Sequence, residues 1–293
     1  MKITKAIKPL VLAIAFLSTI TLAWCQPKDE NDCKICAKEG HIHEKPYNNS
    51  FKKELPFVLT GTAIAAAGDF IFIHDKVTPF TNTELDALSR NDVNAFDRAA
   101  TYNRNEAAKN TSDAFLIGSV LVLPSLFFLN HHTREDIGGL FVMTYEAFSL
   151  NYGITNIVKS TVNRTRPYAY NPEDYSYEER RDRESRFSYF SGHTSTTASL
   201  SFLWAKVMTD YHPEMGKGYK IGIWSIAALI PATTGFLRIQ AGKHYPTDVI
   251  TGYAVGAVTG WLIPEMHKMK KSSVNIFTSQ LYGVRTIGFT LKF

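Results

Sequence analysis

The sequence predicts an all-α fold, a six-helix core bundle followed by a short C-terminal β-hairpin or strand. Two observations carry that expectation. Six apolar stretches rich in Ala, Leu, Ile and Phe run from Leu55 to Ile73, Ala114 to Asn130, Ile137 to Val158, Ser195 to Met208, Ile221 to Leu237 and Val249 to Pro264. Each is too long for a strand, and each is bounded by Asp, Asn, Pro or charged clusters that cap or break helices. At the end of the chain the period changes. Ile287, Phe289, Leu291 and Phe293 alternate with Thr286, Gly288, Thr290 and Lys292, the two-residue repeat of a strand. With 45% apolar residues in a chain of 293, one sizeable core can be buried, and a single domain is the simplest division.

The elements follow in chain order. Residues 1–25 have the layout of a secretory signal peptide: Lys2, Lys5 and Lys8 precede an uncharged apolar run from Pro9 to Trp24, and cleavage is expected after Cys25. A lipidated Cys25 is the alternative, although bulky Trp24 stands where a small residue is wanted. Removing the three lysines takes the formal charge from +5 to +2 on residues 26–293, too little to imply a nucleic acid partner. Residues 26–54 are a polar lead-in. Export would place Cys33 and Cys36 in an oxidising compartment, where a small disulfide is the expected outcome; with His41 and His43 they also resemble half of a zinc-ligand pattern. Residues 55–267 hold the six helices. The polar region from His74 to Asp113 between the first two is expected to form short amphipathic helices. Residues 268–293 form the strand tail, with Asn275 to Tyr282 as a pairing partner around Gly283.

A membrane span needs about 20 consecutive, predominantly apolar residues, and by that measure only Ala114 to Asn130 comes near. The others are interrupted by Asp69, Glu146, Asn151 and Lys206, or are short enough for core helices. If export put Gln26 outside and three helices then crossed, the loop after the third would face the cytoplasm, away from an extracytoplasmic site. A periplasmic domain resting on a membrane is therefore the expected placement, with an integral membrane protein as the alternative.

Three clusters at the ends of the helical segments carry chemistry. The first is Lys159, six residues, then Arg166-Pro167. Two cations near a helix end can clamp the non-bridging oxygens of a phosphoryl group, although the same pair also marks an ordinary solvated helix terminus. The second is Ser191-Gly192-His193 at the start of the fourth helix, where free amides bind anions and Gly allows close backbone approach. A near-neutral imidazole there suits protonation of a departing alkoxide, against the plainer reading of an N-cap with an incidental His. The third is Arg238, five residues, His244, three residues, Asp248. An imidazole that attacks phosphorus presents one nitrogen as a lone pair while the other donates to an anchor. Asp248 is the expected anchor, with Arg238 as a third cation for the equatorial oxygens.

Taken together, the clusters resemble those of the type 2 phosphatidic acid phosphatase (PAP2) family, which shares its site with class A bacterial acid phosphatases and vanadium haloperoxidases. The resemblance covers roughly Leu55 to Pro264. Its pattern of Lys, six residues and Arg-Pro is met by Lys159, Arg166 and Pro167. Pro-Ser-Gly-His is met by Ser191, Gly192 and His193 with Phe190 in place of Pro, and Ser-Arg, five residues, His, three residues, Asp by Arg238, His244 and Asp248 with Leu237 in place of Ser. The resemblance implies a six-helix core of the PAP2 and acid phosphatase type with the site at one end, no metal and no other cofactor. It makes His244 the nucleophile and His193 the acid and then the base toward water. Lys159, Arg166, Ser191, Gly192 and Arg238 would hold the phosphoryl group. The implied substrate is a phosphorylated envelope lipid (phosphatidate, phosphatidylglycerophosphate, a polyprenyl pyrophosphate or lipid A) or a small phosphate ester. A vanadate-dependent haloperoxidase and a broad-specificity periplasmic acid phosphatase are the alternatives, and a phosphate-binding envelope protein is the non-enzymatic one.

Two further features bear on function. Arg180, Arg181, Arg183 and Arg186 lie between the first two clusters and could read an anionic headgroup, but Glu178, Glu179, Asp182 and Glu184 are interleaved and favour an internally neutralised loop. His74, His131, His132, His212 and His267 have no partner at a telling spacing and are expected at the surface.

Overall fold

A computed structural model describes residues 45–48, 51–74 and 77–269, and the backbone of 274–281 and 284–291. The expected signal peptide, its cleavage after Cys25 and the Cys33, Cys36, His41 and His43 cluster lie outside the described residues. The protein is predominantly helical. Its long helices are α1 (Phe51–His74), α2 (Glu106–Ser125), α3 (Ile137–Val162), α4 (Gly192–Tyr211), α5 (Lys217–Gln240) and α6 (Pro246–His267). Each apolar stretch falls within one of them, except that the second ends in a 3₁₀ turn over Leu126–Leu129. Polar residues set the starts. The Asn105 side chain accepts from Ala108 N at 2.9 Å ahead of α2, and Pro246 opens α6, where a missing N–H costs nothing. At the end of α3, Asn163 takes the left-handed conformation at φ 48° and closes the helix on the Lys159 carbonyl. Between α1 and α2 the chain forms short helices at Asn82–Asp86 and Ala95–Arg98.

Packing brings α4 against α6 and α1 against α3. A Cβ at Gly256 or Gly260 would lie 2.0 Å from the carbonyl oxygen of Ser195 or Ser199, so a stripe of glycines on α6 lets two backbones approach more closely than any side chain allows. That contact fixes the N-terminus of α4 beside that of α6. The apolar core, with Leu140, Met143, Leu203, Trp204, Val207 and Tyr211, fills the bundle toward the opposite ends of α3 and α4. Each such side chain contributes about 1.5–3 kcal/mol by leaving water.

Among the described residues three helices, not one, are long and apolar enough to cross a membrane: Glu54–His74, Glu106–Leu129 and Lys217–Gln240. Interruptions that looked decisive in the sequence are neutralised by geometry. Asp69 turns inward and accepts from Tyr152 Oη at 2.8 Å and Asn156 Nδ2 at 2.9 Å, leaving Phe70, Ile71 and Ile73 exposed around it. Ile117 and Leu121 on α2, and Ile221, Leu229 and Phe236 on α5, are likewise exposed. Such contiguous apolar faces are costly in water and favourable against lipid.

The Arg-rich loop is tied down, though mainly not by its own acids. Arg180 is buried and donates to the carbonyls of Ala169 and Leu85, Arg181 donates to that of Phe80, and Arg183 to that of Phe72. Arg186 pairs with Glu84 at 2.9 Å. After α6, β1 (Val274–Leu281) pairs antiparallel with β2 (Val284–Leu291), Leu281 opposite Val284.

Candidate active site

The last turn of α3, the first turn of α4, the last turn of α5 and the first turn of α6 meet at one end of the bundle. Helix termini expose unpaired backbone groups, and here two N-termini face the side chains from two C-termini. The turn from α5 to α6 is tight. Gly242 has φ +65°, and a Cβ there would lie 2.2 Å from the Asn103 carbonyl oxygen. The following residues, Lys243 and His244, are thereby turned into the bundle.

His244 is 1% exposed. Its Nδ1 lies 2.8 Å from the Ser188 carbonyl oxygen. A carbonyl only accepts, so Nδ1 carries the proton and Nε2 the lone pair. This corrects the expected anchor. Asp248 Oδ2 stands 3.6 Å from Nδ1, and acts one step back by accepting from Ser188 Oγ at 2.5 Å and from Tyr245 N at 2.9 Å. Asp248 is itself held by Arg164, which also donates to Asp97 at 2.7 Å and stacks over the Tyr245 ring. Asp97 accepts from Thr247 N at 3.1 Å and Thr247 Oγ1 at 2.7 Å, so a residue from the polar region before α2 locks the first turn of α6. Burial would raise the Asp97 carboxyl, but hydrogen bonds from Asn94, Thr247 and Arg164 together hold it below the usual value.

The cations converge on His244. Burial first, then Arg166, Arg238, Lys159 and His193, hold its imidazole well below the usual histidine value, so the ring stays neutral and nucleophilic. Arg166 and Arg238 are buried, and each is paired through only part of its guanidinium: Arg166 Nη2 donates to Glu184 at 2.7 Å, and Arg238 Nη1 to Asp113 at 3.1 Å and Ser112 Oγ at 3.3 Å. Neither Nε–H has a hydrogen-bond partner among the described residues. Lys159 Nζ would lie 3.9 Å from a Cβ placed on Gly192, and burial, then Arg166, pushes its ammonium down to about 8. Two buried guanidinium donors lacking acceptors, beside a destabilised ammonium, make a site suited to an oxyanion.

Ser191 caps α4, its Oγ accepting from Thr194 Oγ1 at 2.9 Å, and its N–H donates to the Asp248 carbonyl at 3.1 Å. His193, one turn in, has Nε2 2.9 Å from Asp113 Oδ1. The carboxylate accepts there, so Nε2 carries a proton and Nδ1 of the neutral ring presents a lone pair, which can take a proton and, once protonated, give it up. Burial lowers the His193 imidazole, the Asp113 hydrogen bond opposes that without cancelling it, and Arg238 lowers it further. All eight residues singled out in the sequence lie at this end of the bundle. Four that position them were missed: Asp97, Asp113, Arg164 and Ser188. Asp113 immediately precedes the second apolar stretch and Arg164 lies between Lys159 and Arg166, but Ser188 contributes a main-chain carbonyl, which no side-chain pattern reports.

A cavity of about 480 Å³ opens from this end between α2 and α3. Leu116, Ile117, Val120 and Phe148 line its apolar length, and Lys159 and Gly192 lie on its wall.

Comparison with known proteins agrees with the family read from the clusters. The PAP2 superfamily matches residues 139–272, a span that contains Lys159, Arg166, Ser191, Gly192, His193, Arg238, His244 and Asp248. A lipid A 4'-phosphatase of Porphyromonas gingivalis is 30% identical over 31% of this chain and 34% of its own length. Phosphatidylglycerophosphatase B of Bacillus subtilis is 24% identical over 52% of this chain and 68% of its own. A crystal structure described as a transmembrane PAP2 type phosphatidylglycerolphosphate phosphatase from Bacillus subtilis covers 73% of this chain and 95% of that one, at 22% identity and a TM-score of 0.45. The three helices long and apolar enough to cross a membrane mark the chain as a membrane-associated or integral membrane protein.

Proposed function

From the PAP2 superfamily match of residues 139–272, we propose that this chain is a phosphatase of phosphorylated envelope lipids working through a phosphohistidine on His244, its six long helices forming the PAP2-type core. The observation that carries the reading is the His244 Nε2 lone pair, set by the Ser188 carbonyl, beside buried Arg166 and Arg238 whose Nε–H donors lack acceptors. In the first step Nε2 attacks phosphorus, the bond to the ester oxygen breaks, and His193, entering the step protonated at Nδ1, passes that proton to the leaving alkoxide and becomes neutral. In the second, His193 takes a proton from water, which attacks the phosphoimidazole, and inorganic phosphate leaves. Lys159, Arg166, Arg238, the Ser191 hydroxyl and the Gly192 amide neutralise the three equatorial oxygens throughout. Asp248 stabilises the imidazolium character of the intermediate through Ser188 and the first turn of α6.

The apolar cavity beside Lys159 supports a lipid over a soluble ester, since an acyl chain there places its phosphate against the cations. An exported chain acting at the periplasmic membrane surface fits these substrates, which the two named relatives also handle by title. The test is phosphate release from phosphatidate, phosphatidylglycerophosphate, a polyprenyl pyrophosphate and lipid A in detergent micelles, beside p-nitrophenyl phosphate. At least one lipid is expected to exceed the soluble ester in kcat/KM by about 100-fold, the effect of several buried methylenes at about 0.8 kcal/mol each. Preference for the soluble ester would make the chain a broad-specificity acid phosphatase, and halide oxidation with added vanadate and peroxide would make it a haloperoxidase. Acid-labile phosphate trapped on wild type and absent from His244→Ala tests the intermediate.

A further inference from the structure

At the other end of the bundle lies a second buried constellation, which the phosphatase reading does not use. His267, expected at the surface, is 4% exposed, and Glu54 and Glu146 beside it are 6% and 1% exposed. The three come from the start of α1, the middle of α3 and the end of α6. His267 Nδ1 lies 2.8 Å from the Ile263 carbonyl oxygen, so Nδ1 is the donor and Nε2 presents its lone pair. That lone pair faces Glu54 Oε2 at 3.4 Å and Glu146 Oε2 at 3.3 Å. Neither carboxylate nor Nε2 has a hydrogen-bond partner among the described residues, and no Lys or Arg there pairs with either acid. Three acceptors pointed at one another in a dry interior are repulsive unless a cation or a shared proton sits among them.

We propose that Glu54, Glu146 and His267 bind one divalent first-row transition ion of the zinc class, which staples α1 and α6 to α3. The donor set is two carboxylates and one imidazole, with all three ligand atoms within 4.8 Å of one another. For ligands at about 2.0–2.1 Å, tetrahedral coordination places neighbouring donor atoms about 3.3–3.4 Å apart. The two His267-to-carboxylate separations fall on that edge length, whereas a charge-assisted N–H···O bond would draw them to about 2.7–2.9 Å. The Nδ1 hydrogen bond to Ile263 is the outer-sphere contact that orients a ligating imidazole. The ring of Phe57, 5.0 Å from that of His267 between centroids, walls the site.

The role is structural. Glu146 is 13 residues from Lys159 on α3, about 20 Å along the helix axis at 1.5 Å per residue. An ion there cannot touch the phosphoryl group. It acts on α1, which lies against α3 with most of its own surface outside the bundle.

The full chain, purified in detergent without chelator, is loaded with ZnCl₂ or MnCl₂, desalted and assayed by mass spectrometry for metal, with melting temperature measured before and after EDTA. Wild type is expected to hold about one equivalent per chain and to melt lower after chelation, as ligand binding to the folded state requires. Glu146→Gln and Glu54→Gln are expected to lose at least about 10-fold in ion affinity, and their melting should no longer respond to EDTA. Wild type holding less than about a tenth of an equivalent after loading, with melting indifferent to chelator, would overturn the proposal in favour of shared protons. Full retention of the ion by both variants would place it elsewhere and overturn it equally. If the variants do not fold, the same loading and stripping of the chain carrying Cys33→Ser and Cys36→Ser decides, since that chain lacks the other zinc-like pattern: retention of about one equivalent supports the site and its loss overturns it. Turnover by the folded, stripped enzyme is expected to persist, which separates this site from the chemistry at His244.

Discussion

His244 and His267 sit at opposite ends of α6 and share one local arrangement: each gives its Nδ1 proton to a backbone carbonyl at 2.8 Å and presents Nε2 to a buried space. What faces Nε2 differs in sign. Around His244 stand Lys159, Arg166 and Arg238, and around His267 stand Glu54 and Glu146. The same neutral ring therefore suits an electrophilic phosphorus at one end and a cation at the other. The choice is made by residues on other helices, not by the histidine or its tautomer.

The largest effect should come from breaking that contrast at the proposed nucleophile. His244→Ala is expected to lower phosphate release by about 10⁴-fold or more, the scale seen when a covalent nucleophile is removed. His267→Ala, measured on folded protein, should stay within about threefold of wild-type kcat while melting at a lower temperature, since buried polar losses act on stability. Comparable losses of turnover from both variants would erase the distinction between the two ends. Arg238→Ala comes next, at about 10³-fold in kcat, the low end for removing a guanidinium from a phosphoryl transition state.

Arg164→Ala probes the scaffold behind His244. It leaves Asp97 and Asp248 buried without their shared cation, and about 3–5 kcal/mol of stability is expected to be lost at neutral pH, measured by denaturant titration. The Asp97 carboxyl is depressed in the folded state, so its contribution is full above the unfolded carboxylate pKa and disappears as pH falls through the folded value. The variant should thus be less stable than wild type at pH 7 and converge on it in acid. Asp113→Asn is smaller, about 10- to 100-fold in kcat, because it loosens His193 and Arg238 without removing either.

The two ends were unequally legible in the sequence. The long helices were readable because their apolar runs end at residues that break helices, and the proposed phosphate site because each cluster is local: Lys159 with Arg166, Ser191 with His193, Arg238 with His244 and Asp248. The same locality misassigned the direct anchor, since Asp248 lies four residues from His244 while the atom that bonds Nδ1 is a main-chain oxygen 56 residues away. His267 was read as a surface residue because its partners lie at positions 54 and 146, separations that no helical or strand period reports. The number of apolar helices able to cross a membrane was underread for a related reason. Asp69 interrupts α1 in one dimension but faces Tyr152 and Asn156 in three.

The smallest effect is a pH dependence that the cation ring imposes on one end alone. Lys159 is pushed down to about 8, first by burial and then by Arg166, so the free enzyme loses this charge as pH rises through that value. Phosphate binding should weaken with it, and kcat/KM should fall from about pH 8 upward by about tenfold per unit at most. A bound phosphate dianion favours the ammonium, which moves the same limb to higher pH in kcat than in kcat/KM. Lys159→Arg keeps its charge across this range and should lose the limb from kcat/KM, at some cost in absolute rate because a planar fork replaces a point charge. His244, held well below the usual histidine value, adds no acid limb of its own near neutrality, so any fall on the acid side should track protonation of the substrate phosphate and shift with the substrate's own pKa.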